Sequence, residues 1–176
     1  LTIPGAGTVT FSSIEQAALT AGASDNTLDA SAFTTGSITL NGADGNDTIF
    51  GGSDNDSLDG GPGVDQVRQT IDENQVLTNT QLTGMGTDVL TGLEEAQLTG
   101  GGADNTLDAS AFTLGSVTLD GGLGDDTLLG SAGDDSLIGG DGTDTIEQTI
   151  DEHQVLADTS LQGMGTDSLS GFEQAI

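Results

Sequence analysis

Residues 121–147 read GGLGDDTLL, GSAGDDSLI, GGDGTDTIE: three blocks of nine in which position six is Asp (Asp126, Asp135, Asp144) and position eight is Leu or Ile (Leu128, Leu137, Ile146). Residues 42–68 repeat the pattern as GADGNDTIF, GGSDNDSLD, GGPGVDQVR, with Asp47, Asp56 and Asp65 at position six and Ile49, Leu58 and Val67 at position eight. Six residues rich in Gly and Asp favour a turn, because Gly reaches positive φ without steric cost and Asp bonds to nearby backbone amides. The three that follow suit a short strand, the middle side chain on one face and its neighbours on the other. Turn plus strand every nine residues, two strands per coil, winds a flattened tube whose eighth positions stack as an inner aliphatic column. Gly recurs too often for a helix.

Working outward, a shift of 79 positions aligns residues 14–92 with 93–171 without a gap, and 48 of the 79 pairs are identical. Residues 172–176 restart the pattern, and Ile3, Gly5, Gly7 and Thr8 echo Leu82, Gly84, Gly86 and Thr87. The chain is therefore expected to be one continuous solenoid over 1–176, cut from a longer parent. Degenerate nonapeptides at 21–29, 69–77 and 83–91 place Leu28, Val76 and Leu90 at position eight, with Leu107, Val155 and Leu169 as counterparts. The inserts between copies read as further coils with altered turns. Ser37–Leu40 and Ser116–Leu119 alternate like strands, 93–98 is ambiguous between strand and helix, Phe33 and Phe112 fill wider coils, and Met85 and Met164 cap the core.

Composition narrows the function. The 176 residues carry 29 acidic side chains against a single Arg, for a formal charge of −28, with 29 Gly, 5 Phe and no Cys. Neutralising phosphates needs Lys and Arg, which excludes a nucleic-acid partner and an anionic membrane surface. No run of 18 apolar residues offers a membrane span, and no basic leader precedes an apolar stretch. So much like charge with so little apolar surface would leave the bare polypeptide near the disordered class. A cation is the remedy.

Ca²⁺ takes six to eight oxygen ligands from carboxylates and carbonyls in flexible geometry. The turns supply both: carbonyls exposed around Gly42, Gly45, Gly60, Gly63, Gly121, Gly124, Gly139 and Gly142, and the carboxylates of Asp47, Asp56, Asp65, Asp126, Asp135 and Asp144. With two strands per coil, turns 18 residues apart are stacked. Asp47 and Asp65 are expected to share one ion, as are Asp126 and Asp144, with partial or modified sites around Asp56 and Asp135. Zn²⁺ and copper are disfavoured without Cys or a His cluster.

These nonapeptides resemble the RTX, or haemolysin-type, calcium-binding repeat, of pattern Gly-Gly-x-Gly-x-Asp-x-apolar-x. The resemblance implies an all-β fold, a right-handed parallel β-roll, export by a type I secretion machinery and folding on meeting extracellular Ca²⁺. Departures from the pattern are Asn26 and Asn105 at position six of one copy, Asn74 and His153 in another, and the interrupting inserts. No catalytic constellation repeats: His153 is replaced by Asn74 in the first repeat, Arg68 by Glu147 in the second. The pairs Asp72-Glu73, Asp151-Glu152 and Glu94-Glu95 read as a solvated face or an accessory ion site. The expectation is a non-enzymatic, calcium-dependent spacer in a secreted or surface adhesin, with calcium ions and the rest of the parent chain as partners. The rivals are the secretion and folding module of an exported protease or lipase and, less favoured because its Thr residues are unevenly spaced, an ice- or carbohydrate-binding face.

Overall fold

The structure, a computed structural model, describes residues 2–3, 7–8, 13–148, 154–163, 165–172 and 174–175. Asp151, Glu152, His153 and Met164 lie outside the described residues. Among the described residues every regular element is a strand. The first eight are β1 (Thr2–Ile3), β2 (Gly7–Thr8), β3 (Ala17–Thr20), β4 (Thr27–Asp29), β5 (Ile38–Asn41), β6 (Thr48–Phe50), β7 (Ser57–Asp59) and β8 (Gln66–Thr70). There follow β9 (Gln75–Thr78), β10 (Gln81–Gly84), β11 (Gly86–Thr91), β12 (Glu95–Thr99), β13 (Thr106–Ala111) and β14 (Val117–Leu123). The last are β15 (Thr127–Leu129), β16 (Ser136–Asp141), β17 (Thr145–Ile146), β18 (Val155–Ala157), β19 (Ser160–Gly163), β20 (Gly165–Ser170) and β21 (Gln174–Ala175). Among the described residues no helix is long and apolar enough to cross a membrane. The ambiguous segment 93–98 resolves as β12.

Beyond the small β1–β2 ladder, the chain alternates between two sheets. One has the order β21-β17-β15-β13-β9-β10-β11-β7-β5-β3, the other β18-β19-β20-β16-β14-β12-β8-β6-β4. Successive coils pair in parallel: Ile49 lies beside Val67, Leu40 beside Leu58 and Leu119 beside Leu137. This is a β-roll. Its coils are 18 residues long where nonapeptides are uninterrupted and grow to 21, 29 or 32 residues where inserts intervene. The interior is the expected column: Leu28, Ile49, Leu58, Val67, Leu90, Leu107, Leu128, Leu137, Ile146 and Leu169 are buried, with Phe112 filling a wider coil and Phe33 packed partly against the core.

Two expectations fail. Val76, assigned to the column, is exposed while its neighbours Gln75 and Leu77 are buried, and Val155 is exposed together with Leu156. At Val76 the cause is that the insert after β9 is an antiparallel meander, not another coil: β9 pairs with β10 (Leu77 beside Leu82), and β10 pairs with β11. The Thr78 hydroxyl accepts the N–H groups of Thr80 and Gln81 to close the first reversal, and Gly84 and Gly86, at φ +134° and +83°, close the second around Met85. Packing Leu77 against Leu82 inside the tube moves the strand by one residue, and a one-residue slip exchanges faces. Gln75 is left inside, its amide donating to the Thr99 carbonyl at 2.8 Å.

The meander also gives each repeat an odd number of crossings between sheets. The 79-residue repeat therefore alternates: β4 and its counterpart β13, identical in sequence over Thr27–Phe33 and Thr106–Phe112, lie in opposite sheets. The meander β9–β11 widens one sheet and its counterpart β18–β20 widens the other.

Candidate metal centre

In each nonapeptide the turn ends on its Asp, buried in the tube two residues before the buried apolar side chain of the strand that follows. Asp47, Asp56, Asp65, Asp126, Asp135 and Asp144 are all at least 96% buried. One carboxylate oxygen of each is spent on the coil before. Asp47 Oδ1 accepts from the Asn26 N–H at 2.7 Å, Asp65 Oδ1 from the Asp47 N–H at 2.6 Å, and Glu94 Oε2 from the Asp65 N–H at 3.1 Å. The second repeat builds the same ladder: Asn105 N–H to Asp126 Oδ1 at 2.7 Å, and Asp126 N–H to Asp144 Oδ1 at 2.8 Å. Turns 18 residues apart thus stack in the expected pairs, Asp47 with Asp65 and Asp126 with Asp144.

The other oxygen separates two kinds of turn. Oδ2 of Asp47, Asp65 and Asp126 is buried and accepts no hydrogen bond. A carboxylate oxygen withdrawn from water without a donor is costly, and either a cation or a proton relieves it. Asp56 and Asp135 have both oxygens engaged: Asp56 takes the Ile38 and Gly52 N–H groups at 2.9 and 2.6 Å. Asp135 takes the Val117 and Ser131 N–H groups at 2.8 and 2.6 Å and the Ser131 hydroxyl.

The first glycine of the block lies where the unspent oxygens point. A Cβ on Gly42 would run into Asp47 Oδ2 and the Gly60 carbonyl oxygen, and one on Gly121 into Asp126 Oδ2 and the Gly139 carbonyl oxygen. A carboxylate and a carbonyl from successive coils face one small space that only Gly leaves open. A Cβ on Gly60 or Gly139 would likewise meet the carbonyl of Gly92 or Gly171 and the Asp of its own block. The fourth-position glycines keep coils in contact: Gly45 and Gly124 adopt φ of +123° and +111°, and Gly63 and Gly142 sit directly on their carbonyls.

The electrostatics match. Burial raises the carboxyls of Asp65, Asp126 and Asp135 above the usual range, the N–H bonds only partly opposing it and neighbouring carboxylates reinforcing it. Among the described residues no three carboxylate or imidazole groups converge on one point. A cation here would complete its shell from turn carbonyls, the donor set of a hard oxygen-seeking ion such as Ca²⁺ and not of Zn²⁺. The residues fit.

Two carboxylates escaped the sequence reading. Asp88 and Asp167, each nearly fully buried, receive the N–H groups of Asp56 and Asp135 at 2.9 and 3.2 Å, and burial pushes them up to about 7 and about 6. Their signal was available: they hold position six of the degenerate copies 83–91 and 162–170. Asp88 also lines a cavity of about 180 Å³ with Gly51, Gln69 and Met85. Of the remaining acidic pairs, Asp72 accepts the Ala103 N–H at 2.9 Å, which, with the Gly102 N–H, holds its carboxyl below the usual range. Arg68 rests on the Phe50 ring, 5.3 Å from its centroid.

Residues 39–67 and 118–147, the stretches that build the two carboxylate ladders, match the sequence model of the RTX calcium-binding nonapeptide repeat, described in four copies. The chain carries RTX calcium-binding repeats. No curated protein matches the chain. The RTX segments coincide with the 18-residue coils, and Ca²⁺, the ion of these repeats, is a hard cation suited to oxygen donors of this kind. The meanders at β9–β11 and β18–β20, with Asp88 and Asp167, fall outside the matched stretches.

Proposed function

We propose that this RTX chain is a rigid, calcium-dependent spacer within a large secreted or surface protein, acting as one solenoid of 79-residue modules. The supporting observation is the set of buried, partnerless Oδ2 atoms on Asp47, Asp65 and Asp126. Asp47 with Asp65 and Asp126 with Asp144 hold the ions, aided by carbonyls of the Gly42–Gly63 and Gly121–Gly142 turns. Asp56 and Asp135, whose oxygens are already taken by donors of their own turn and of the coil before, act as structural rungs or secondary sites. Ca²⁺ supplies the charge that lets these carboxylates enter the tube, so binding free energy becomes folding free energy. In the low Ca²⁺ of a cytoplasm the chain stays open and threadable; outside, it closes into a rod.

Far-UV circular dichroism tests this. In EDTA at neutral pH the spectrum should be that of a largely disordered chain, and about millimolar Ca²⁺, the affinity range of extracellular modules, should restore β-structure. A β-rich spectrum that EDTA leaves unchanged would remove the calcium switch.

A further inference from the structure

Of the seven Asn in the chain, Asn41 alone is followed by Gly. In an open chain such a step is chemically labile, because Gly has no side chain to keep its backbone nitrogen from the Asn side-chain carbonyl. The Gly42 nitrogen attacks Cγ of Asn41: a C–N bond forms, the Cγ–Nδ2 bond breaks, and ammonia leaves with the proton of the Gly42 N–H. Water then opens the resulting imide at one or other carbonyl, giving Asp or isoaspartate at position 41.

The fold ties down every group this reaction uses. Asn41 ends β5, beside Thr20 of β3 on one side and Asp59 of β7 on the other. Its carbonyl oxygen accepts the Ala21 N–H at 2.8 Å, and across the same peptide the Gly42 N–H donates to the Asp59 carbonyl at 2.8 Å. The Asn41 side-chain amide donates to Asp59 Oδ2, also at 2.8 Å. Ring closure requires this peptide to turn until its nitrogen meets Cγ, which breaks both main-chain bonds and pulls the amide from Asp59. Nucleophile and leaving group are thus held apart by the coils on either side.

We propose that Asn41-Gly42 is a deamidation site, open in the calcium-free chain and closed by folding, whose modification disables the ion site of the first module; its gating by Ca²⁺ rests on the calcium-dependent folding proposed above. Gly42 is the glycine whose Cβ would strike Asp47 Oδ2 and the Gly60 carbonyl oxygen. Isoaspartate inserts a methylene into the main chain immediately before it, which displaces Gly42 from the space that the Asp47 and Asp65 turns share. The Asp product is milder. It sets a carboxylate against Asp59 where the amide now donates, and like charges directly opposite across strands repel. The second module has no amide to lose, since Asp120 stands at this position, beside Ile138 instead of an acid. Deamidation therefore marks the first module and leaves the second.

The test ages the full chain in warm, mildly alkaline buffer with millimolar Ca²⁺, with EDTA, or with urea and EDTA, then follows residue 41 by digestion and mass spectrometry. Conversion at Asn41 should run in EDTA nearly as fast as in urea, and at least about tenfold slower in Ca²⁺, where ring closure waits on local opening of the coil. Chain aged in EDTA and returned to Ca²⁺ should lose calcium binding in step with the isoaspartate formed at position 41. Asn41→Gln, its side chain one methylene too long for the same imide ring, should keep its binding through the same treatment. Equal rates in Ca²⁺ and urea overturn the site. Full calcium binding by the isoaspartyl chain, or equal loss in Asn41→Gln, overturns its link to the ion. A β-rich circular dichroism spectrum in EDTA overturns the gating by Ca²⁺ alone, and the comparison with urea then decides whether the fold protects Asn41.

Discussion

Leu137 and Ile138 are neighbours in β16 with opposite surroundings: Leu137 is 1% exposed in the column beside Leu119 and Leu169, while Ile138 lies half-buried on the outer face beside Asp120. Truncating a buried Leu removes transfer free energy and leaves a cavity, so Leu137→Ala should cost about 2–4 kcal/mol. It should also weaken apparent Ca²⁺ affinity, since folding and binding are coupled. Ile138→Ser should be nearly neutral, because the first module carries Asp59 there. Thermal melts at fixed Ca²⁺ check the pair, and the reverse order of effects would invert the strand. At this scale the sequence was readable wherever the period of nine ran unbroken. At Val76 it was not, because the competing signal, Leu77 facing Leu82 across a reversal, lies in the insert rather than the repeat.

The turn is the unit at which the carboxylates act, and its stacking predicts how substitutions combine. Asp126 and Asp144 belong to one ladder through the Asp126 N–H, so Asp126→Ala and Asp144→Ala should each impair the same ion, and the double change should add little in a calcium titration. Fully additive losses would assign them to separate sites. Asp126→Ala combined with Asp47→Ala, in different modules, should be additive instead. Gly121→Ala probes the space itself: its Cβ would strike Asp126 Oδ2 and the Gly139 carbonyl oxygen, so an apparently mild change should cost about 1–3 kcal/mol and weaken Ca²⁺ binding. Gly102, which has nothing within 4 Å of its Cβ, should tolerate Ala, and equal sensitivity at both positions would dissociate the effect from the oxygens. The pairing of turns 18 residues apart was legible in the spacing. The spent and unspent oxygens were not, since they depend on which N–H of the preceding coil arrives at each carboxylate.

Over the whole molecule the same carboxylates set opposite responses to acid with and without Ca²⁺. The period of 79 showed the modules, but the alternation of sheets needed the extra reversals of the meander, and those reversals place Asp88 and Asp167 inside the tube. In the folded chain without metal, burial raises Asp88 to about 7 and Asp167 to about 6, against an ordinary value of 3.8, and it raises Asp65, Asp126 and Asp135 as well. Between about pH 4 and 7 the folded state then binds more protons than the unfolded one, so calcium-free stability is greatest below that window and is lost as pH rises through it. In EDTA, lowering the pH from 7 toward 5 should therefore increase β-structure by circular dichroism. In Ca²⁺ the same acidification should weaken binding, because protons compete for the oxygens that hold the ion. Asp88→Asn with Asp167→Asn separates these buried groups from the general relief of charge repulsion: the double variant should need less acid to gain structure in EDTA and should show a shallower pH dependence there. An unaltered pH dependence would assign the acid response to the net charge of the chain and not to the interior of the tube.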